Sequence, residues 1–143
     1  MTRFFVYGSL LTSANHPLGA LMRSKATLVG PGYIRARLYM IADPLTGADA
    51  YPGAVPSRSA ADRVHGELYN LEDDPSALFK VLDDYENCSA KYPEPHEFQR
   101  RRVSVTLSDG NSVSASAYLY NWDVSRARRL ASGRFVGPAL TLD

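Results

Sequence analysis

Arg3-Phe4-Phe5-Val6-Tyr7-Gly8-Ser9-Leu10-Leu11 is the stretch from which the rest of the chain can be read. Phe4, Phe5 and Val6 form a short aromatic and β-branched run, the composition of a strand covered on both faces. Gly8 and Ser9 stop it. A glycine there opens backbone angles closed to other residues and lets a ligand come close to main-chain N–H groups. Such a turn can present a nest of donors to a carboxylate or a developing oxyanion. An ordinary turn after a strand would look the same over four residues, so the rest of the chain must show whether a binding loop is needed here.

Length and charge narrow the field. The 143 residues contain no long polar tract and predict one compact domain over residues 1–143, large enough to fold without staples. Sixteen basic and fifteen acidic side chains leave a net charge of +1, which marks neither a nucleic-acid nor a membrane-surface binder. The arginines at 100–102 and at 126, 128, 129 and 134 lie beside alternating or helical patterns and read as solvated faces. Cys88 is the only cysteine, so no intrachain disulfide can form, and a cytoplasmic setting is expected. No basic segment leads into an apolar signal core, and no apolar run is long enough for a helical membrane span.

Working outward from the first strand, Thr12 to Pro17 is polar and reads as loop, and Leu18, Leu21 and Met22 have helical spacing up to Ser24. Ala26 to Met40 reads as two strands joined or bent at Gly30-Pro31-Gly32. Asp43 to Gly47 is a turn, and Tyr51 to Pro56 is too proline-rich for anything but an edge or a shaped loop. Val64 to Leu71 alternates as a strand. Asp74-Pro75 predicts a helix start. Lys80 and Asp84 are spaced to pair at i, i+4, and the helix should end near Asn87 or Cys88. Ser89 to Glu97 reads as an exposed excursion. Arg102–Leu107 and Ser112–Tyr120 form a hairpin around Ser108-Asp109-Gly110-Asn111. Asp123 or Ser125 could cap a last short helix through Leu130, with Gly133 near its stop.

Glu86 is the most informative single residue. It extends the row Leu78–Leu82 at four-residue spacing, so its carboxylate should leave the helix where the apolar stripe meets its neighbours. A helix C-terminus carries partial negative charge and offers a carboxylate no compensation. Desolvation acts in the same direction, suiting the group to take and return a proton near neutral pH. A partly buried glutamate paired with an arginine such as Arg100 would fit the helix pattern equally well.

Phe5-Val6-Tyr7-Gly8-Ser9-Leu10, Tyr51-Pro52-Gly53, Val64-His65-Gly66-Glu67-Leu68-Tyr69, Leu82-Asp83-Asp84-Tyr85-Glu86, the Arg100 to Val105 strand and Ala117-Tyr118-Leu119-Tyr120 together resemble the γ-glutamylcyclotransferase-like (AIG2-like) family, in the family's order over nearly the full length. The resemblance implies an α+β fold: a small mixed β-barrel with flanking helices. It places a binding loop at Tyr7, Gly8, Ser9 and Leu10 and a catalytic glutamate at Glu86. It also implies release of 5-oxoproline from a small γ-glutamyl substrate, with neither metal nor organic cofactor.

The residue chemistry agrees with that expectation. In a γ-glutamyl amide the substrate's own α-amine attacks its δ-carbonyl and closes a five-membered ring, so no protein nucleophile is required. Glu86 is the candidate to take the proton from the amine and hand one to the leaving amine. Main-chain N–H groups at Gly8 to Leu10 can hold the α-carboxylate or the oxyanion, and Tyr7 and Tyr120 can supply hydroxyls or a wall for the glutamyl stem. The chain departs from the family pattern in two places. Phe98 stands where the family usually has tyrosine, and Ser89 to Glu97 is longer than the usual connection, next to the leaving-group side.

Other readings compete. Cys88 as a nucleophile would need a histidine base, and no spacing argues for His16, His65 or His96. The scattered histidines do not resemble a zinc site. Tyr-Gly-Ser-Leu lacks the repeat and the lysine of a phosphate loop. A non-catalytic module binding a small ligand or a protein in the same cavity would keep the loop but have no use for Glu86. An amidase would release free glutamate.

Overall fold

In the computed structural model, which describes residues 2–11, 14, 16–72 and 74–135, β1 (Arg3–Val6) lies between two partners. β4 (Arg63–Leu71) pairs with it antiparallel and β6 (Ser112–Tyr120) parallel. β4 pairs in turn with β2 (Ala26–Ala42), and β6 with β5 (Phe98–Leu107), both antiparallel. Pairing of Gly32 with Leu107 and Tyr33 with Thr106 then joins β2 to β5 and closes a five-stranded mixed barrel. The join depends on Gly32, where a Cβ would meet the Val105 side chain at 2.8 Å and the Thr106 carbonyl oxygen at 2.9 Å.

β1 is covered on both sides, as its composition demands: Phe4, Phe5 and Val6 are each at most 3% exposed. Alternation sends Phe5 and Tyr7 into the barrel, with Ile34, Val64, Leu68 and Val105. Phe4 and Val6 face outward into a second cluster with Leu78, Phe79 and Leu82 of α2 (Ser76–Tyr85). The central strand is therefore shared by two cores, and α2 is held by the outer one. Helix α1 (Pro17–Ser24) buries Met22 in the same outer cluster. Its N-terminus is capped by His16, whose Nδ1 accepts the Leu18 N–H at 3.0 Å.

β2 is one 17-residue strand, bent where the register shifts between Leu28 and Gly30. Its far half leaves the barrel and pairs with β3 (Asp49–Pro56), which stands at the edge of the sheet, as its prolines require. The Asp43–Gly47 turn connects them, with Asp43 Oδ1 accepting the Leu45 N–H at 2.7 Å. Residues 12, 13 and 15 of the loop expected at Thr12 to Pro17 fall outside the described residues, and Pro17 already opens α1.

Two expectations fail. The segment read as a final helix contains instead β7 (Arg128–Leu130), paired with Leu38–Met40 of β2. A helix of one or two turns is marginal alone. The open edge of β2 offers backbone partners, while Arg128 reaches Asp49 and Arg129 reaches Asp62. The expected Lys80–Asp84 pair is also replaced: Asp84 binds Lys91 at 2.9 Å and accepts from Ser89. Among the described residues, no helix is long and apolar enough to cross a membrane.

Candidate active site

The residues singled out in the first strand and in α2 meet in one cleft of about 170 Å³. Its floor is β1 and the turn after it, through Leu10. One wall is the end of α2 (Tyr85, Glu86, Asn87), and the other is Tyr51–Pro52 of β3 with Glu97–Phe98 at the start of β5.

The turn is closed by a hydrogen bond from the Leu11 N–H to the Gly8 carbonyl at 2.9 Å. The Leu10 carbonyl is held from outside by Arg23 of α1 at 3.2 Å. These contacts use carbonyls. Among the described residues, the main-chain N–H groups of Gly8, Ser9 and Leu10 have no acceptor, and all three residues line the cleft. Gly8 keeps the turn close to the opposite wall, since a Cβ there would stand 2.8 Å from the Pro52 ring.

Glu86 owes its position to the way α2 stops. Asn87 takes the left-handed conformation at φ 59°. The Cys88 N–H returns to the Asp83 carbonyl at 2.9 Å and the Asn87 N–H to the Asp84 carbonyl at 3.2 Å. This is a Schellman motif, with asparagine where glycine is commonest, and it makes Glu86 the C-cap residue. Buried Leu78 and Leu82 below it aim the row at the cleft. Among the described residues, the Glu86 carboxylate accepts no hydrogen bond and meets no cation. Arg100, the arginine that could have neutralised it, is engaged by Asp83 through Nε at 2.9 Å and Nη2 at 3.1 Å. Asp83 also accepts the Tyr118 hydroxyl at 2.6 Å. Burial, then the charge of Glu97, then that of Asp83 push the Glu86 carboxyl up to about 8.

The tyrosines divide. The Tyr7 hydroxyl is fully committed: it donates to the Tyr118 carbonyl at 2.7 Å and accepts the Ala54 N–H at 3.1 Å. Tyr7 therefore locks β1 to β6 and β3, and has no proton left to offer a ligand. Tyr120 is not among the residues lining the cleft; its ring packs edge-on against Phe98, centroids 5.2 Å apart. Tyr85 and Tyr51 do line it. The Tyr85 hydroxyl shares a 2.9 Å hydrogen bond with Ser9 Oγ, tying the end of α2 to the loop.

Glu97 is the residue that sequence reasoning missed. It closes the Ser89–Glu97 excursion, yet it is only 6% exposed. Tyr51 donates its hydroxyl to one carboxylate oxygen, and Asn87 Nδ2 lies 3.4 Å from the other. A charged residue at the end of a polar loop gives no sign of burial. The one available signal was its place directly before Phe98, the first residue of a strand that returns to the core.

The remaining candidates do not converge. Burial pushes the Cys88 thiol up to about 12, with Asp83 and Glu86 adding to the effect, the reverse of what a nucleophile needs. His16 caps α1, His65 packs on Tyr33, and His96 Nε2 lies 3.2 Å from the Tyr92 carbonyl oxygen.

Residues 4–137 match the family described as gamma-glutamyl cyclotransferase, AIG2-like. Among solved structures, an AIG2-like protein from Mus musculus superposes with a TM-score of 0.65 at 21% identity, covering 94% of this chain and 88% of that one. Protein YtfP from Escherichia coli gives 0.58 at 27% identity, with 94% and 96% covered. A structure named gamma-glutamyl cyclotransferase gives 0.58 at 15% identity, with 90% and 69% covered. No curated protein matches. With the family match spanning nearly the whole chain and the barrel shared by these structures, the chain belongs to the gamma-glutamyl cyclotransferase, AIG2-like family.

Proposed function

We propose that the protein cyclises a small γ-glutamyl amine or amide and releases 5-oxoproline, with Glu86 as general acid/base and the Tyr7–Leu10 loop as the cradle. The observation that carries this reading is a carboxylate with a raised pKa that, among the described residues, meets no donor and shares a cleft with main-chain N–H groups that meet no acceptor. The amides of Gly8 to Leu10 take the α-carboxylate or the developing oxyanion. Glu86 removes a proton from the α-amine as its nitrogen bonds to the δ-carbon. The tetrahedral centre then collapses, and the same carboxyl gives the proton to the departing nitrogen. No oxidant, water or protein nucleophile enters the balance, because both reacting groups belong to one molecule. The three donors expected of the loop are main-chain, so Tyr7 contributes position and Ser9 contributes its link to Tyr85. Cys88 is a free thiol, which suits the reducing cytoplasm.

Glu86→Gln keeps shape and removes the proton shuttle. Its rate of 5-oxoproline release should fall by at least about a hundredfold, with the circular dichroism spectrum unchanged. Full activity in that variant would sink the mechanism. Free glutamate as the product would replace cyclisation with hydrolysis.

A further inference from the structure

The partners of Glu97 in the cleft do not account for its staying there. It is 6% exposed, and among the described residues it meets two neutral donors, the Tyr51 hydroxyl and the Asn87 side-chain amide. A carboxylate withdrawn from water on those terms gains by swinging back into solvent, and a polar excursion would let it do so. The restraint has to come from outside the cleft.

It comes from the two residues after β6. The Asn121 N–H donates to the Glu97 carbonyl at 2.7 Å, one step beyond the Phe98–Tyr120 pair that ends the β5–β6 ladder. Side chains then carry the ladder on. Asn121 Nδ2 donates to the His96 carbonyl at 3.0 Å, and Trp122 Nε1 donates to the Pro95 carbonyl at 3.0 Å. Three successive carbonyls are thus pinned by two successive residues, both exposed and neither among those lining the cleft. The other end of the excursion is tied more weakly, through the exposed Lys91–Asp84 pair and through Ser89. Inside the cleft, Glu97 passes the restraint on. Asn87 Nδ2 lies 3.4 Å from one of its oxygens, and Asn87 is the left-handed residue that ends α2 directly after Glu86.

Building on the cyclisation reading, we propose that Asn121, with Trp122, is a positioning residue: it keeps Glu97 in the cleft, and Glu97 holds Asn87 and the end of α2 that presents Glu86. Neither Asn121 nor Glu97 makes or breaks a bond in the reaction. Losing the clamp has two effects on Glu86. The base is held less closely in place, and a negative charge beside it moves away. The titratable groups around Glu86 are Asp83, Tyr85 and Cys88 from its own segment, Tyr7 after β1, Tyr51 of β3, and Glu97. Of the two carboxylates among them, Glu97 raises the Glu86 carboxyl more than Asp83 does.

Asn121→Ala opens no cavity, since the side chain lies at the surface. Two quantities are read in it. One is the plateau kcat for 5-oxoproline release from a panel of γ-glutamyl alkylamides and dipeptides. The other is the titration of the Glu86 carboxyl, followed by carbon-13 NMR of glutamate-labelled protein and assigned by its absence from Glu86→Gln. The plateau kcat should fall about three- to tenfold, the equivalent of one net hydrogen bond. KM should change less, because the Gly8–Leu10 amides are untouched. The Glu86 titration should move to lower pH. Glu97→Gln, which keeps the shape and removes the charge, should move it the same way. Adding Asn121→Ala to Glu97→Gln should then move it no further. Trp122→Phe should repeat Asn121→Ala on a smaller scale. A plateau kcat or a Glu86 titration unmoved by Asn121→Ala overturns this inference and leaves cyclisation standing. A shift that persists in full on the Glu97→Gln background also overturns it, since Asn121 then acts by a route that avoids Glu97. No 5-oxoproline from any compound of the panel, with the titration shift intact, overturns the proposed function and this positioning role with it.

Discussion

Asp62 is a buried acid and Glu86 a half-buried one, and the protein treats them in opposite ways. Asp62, in the connection between β3 and β4, accepts from Ser57 Oγ at 2.7 Å, from Arg37 Nε at 2.8 Å and from Arg129 Nη2 at 2.9 Å. The Ser57 hydroxyl and the two arginines hold its carboxyl down at about 2. Glu86 has no such donor among the described residues, and it stands at the negative end of a helix dipole, pushed up to about 8. The partners of Asp62 come from β2, from its own loop and from β7, so its charge fastens three parts of the second sheet together. Among the described residues, Glu86 fastens nothing. A buried acid surrounded by donors serves the fold, whereas a half-buried one left without them costs stability and is better explained by chemistry.

The largest effect that could break this contrast is on activity. If Glu86 moves protons, kcat/KM should show an ascending limb near pH 8, because the base must be ionised to act. Glu86→Gln should lose that limb together with the rate. The stability of the same variant should move the other way. A carboxyl with a raised folded-state pKa favours the native protein when protonated. The unaltered protein therefore loses stability as pH rises from the ordinary carboxylic range, about 4, to about 8, by at most about 1.4 kcal/mol for each pH unit. Glu86→Gln lacks this loss, so it should resist urea better than the unaltered protein at pH 9 and only marginally better at pH 5. Equal urea midpoints at both pH values would mean that Glu86 is solvated and not poised for proton transfer.

Asp62→Asn tests the other side with a smaller effect. Its folded-state pKa is lowered, so its stabilisation is present above the ordinary carboxylate range and is lost as pH falls toward 2. The variant should melt a few degrees lower near neutral pH, and the difference should shrink in acid. The kcat for 5-oxoproline release should be unchanged, since Asp62 touches neither the cleft nor its walls. A loss of kcat at full folding would show that the second sheet, through β3, sets the position of Tyr51 and Pro52.

These contrasts also show which parts of the molecule were legible in the sequence. β1 was, because Phe4-Phe5-Val6 permits little else than a strand covered on both faces. The Leu78–Leu82–Glu86 row was too, because helix periodicity is local and survives burial. Barrel closure through Gly32–Leu107 was not, since it joins residues far apart in sequence and depends on one missing Cβ. β7 was misread because an edge waiting on β2 leaves no trace in residues 128–130 themselves. Glu97 was lost in a polar loop because its burial is decided by Tyr51, 46 residues away. The unpaired state of Glu86 was undecidable for the same reason. The sequence put Arg100 within range of either acid, and the ring stack of Arg100 on Phe79, with its centre 4.2 Å above the face, favours Asp83.

That choice gives the smallest and most discriminating prediction. Asp83 and Glu86 stand three residues apart on one helix, and the charge of Asp83 is the least of the three causes that raise the Glu86 carboxyl. Asp83→Asn removes that charge and weakens the hold on Arg100 and on the Tyr118 hydroxyl. Both consequences act on Glu86 in one direction. A lost negative neighbour lowers its pKa, and a released guanidinium that turns toward it lowers the pKa further. The ascending limb of kcat/KM should therefore move to lower pH by a fraction of a unit, while the plateau rate falls only as far as the looser end of α2 misplaces the base. A limb that moves upward would mean that Asp83 supports Glu86 through position alone, and that the order of charges in the cleft is not what sets its proton affinity.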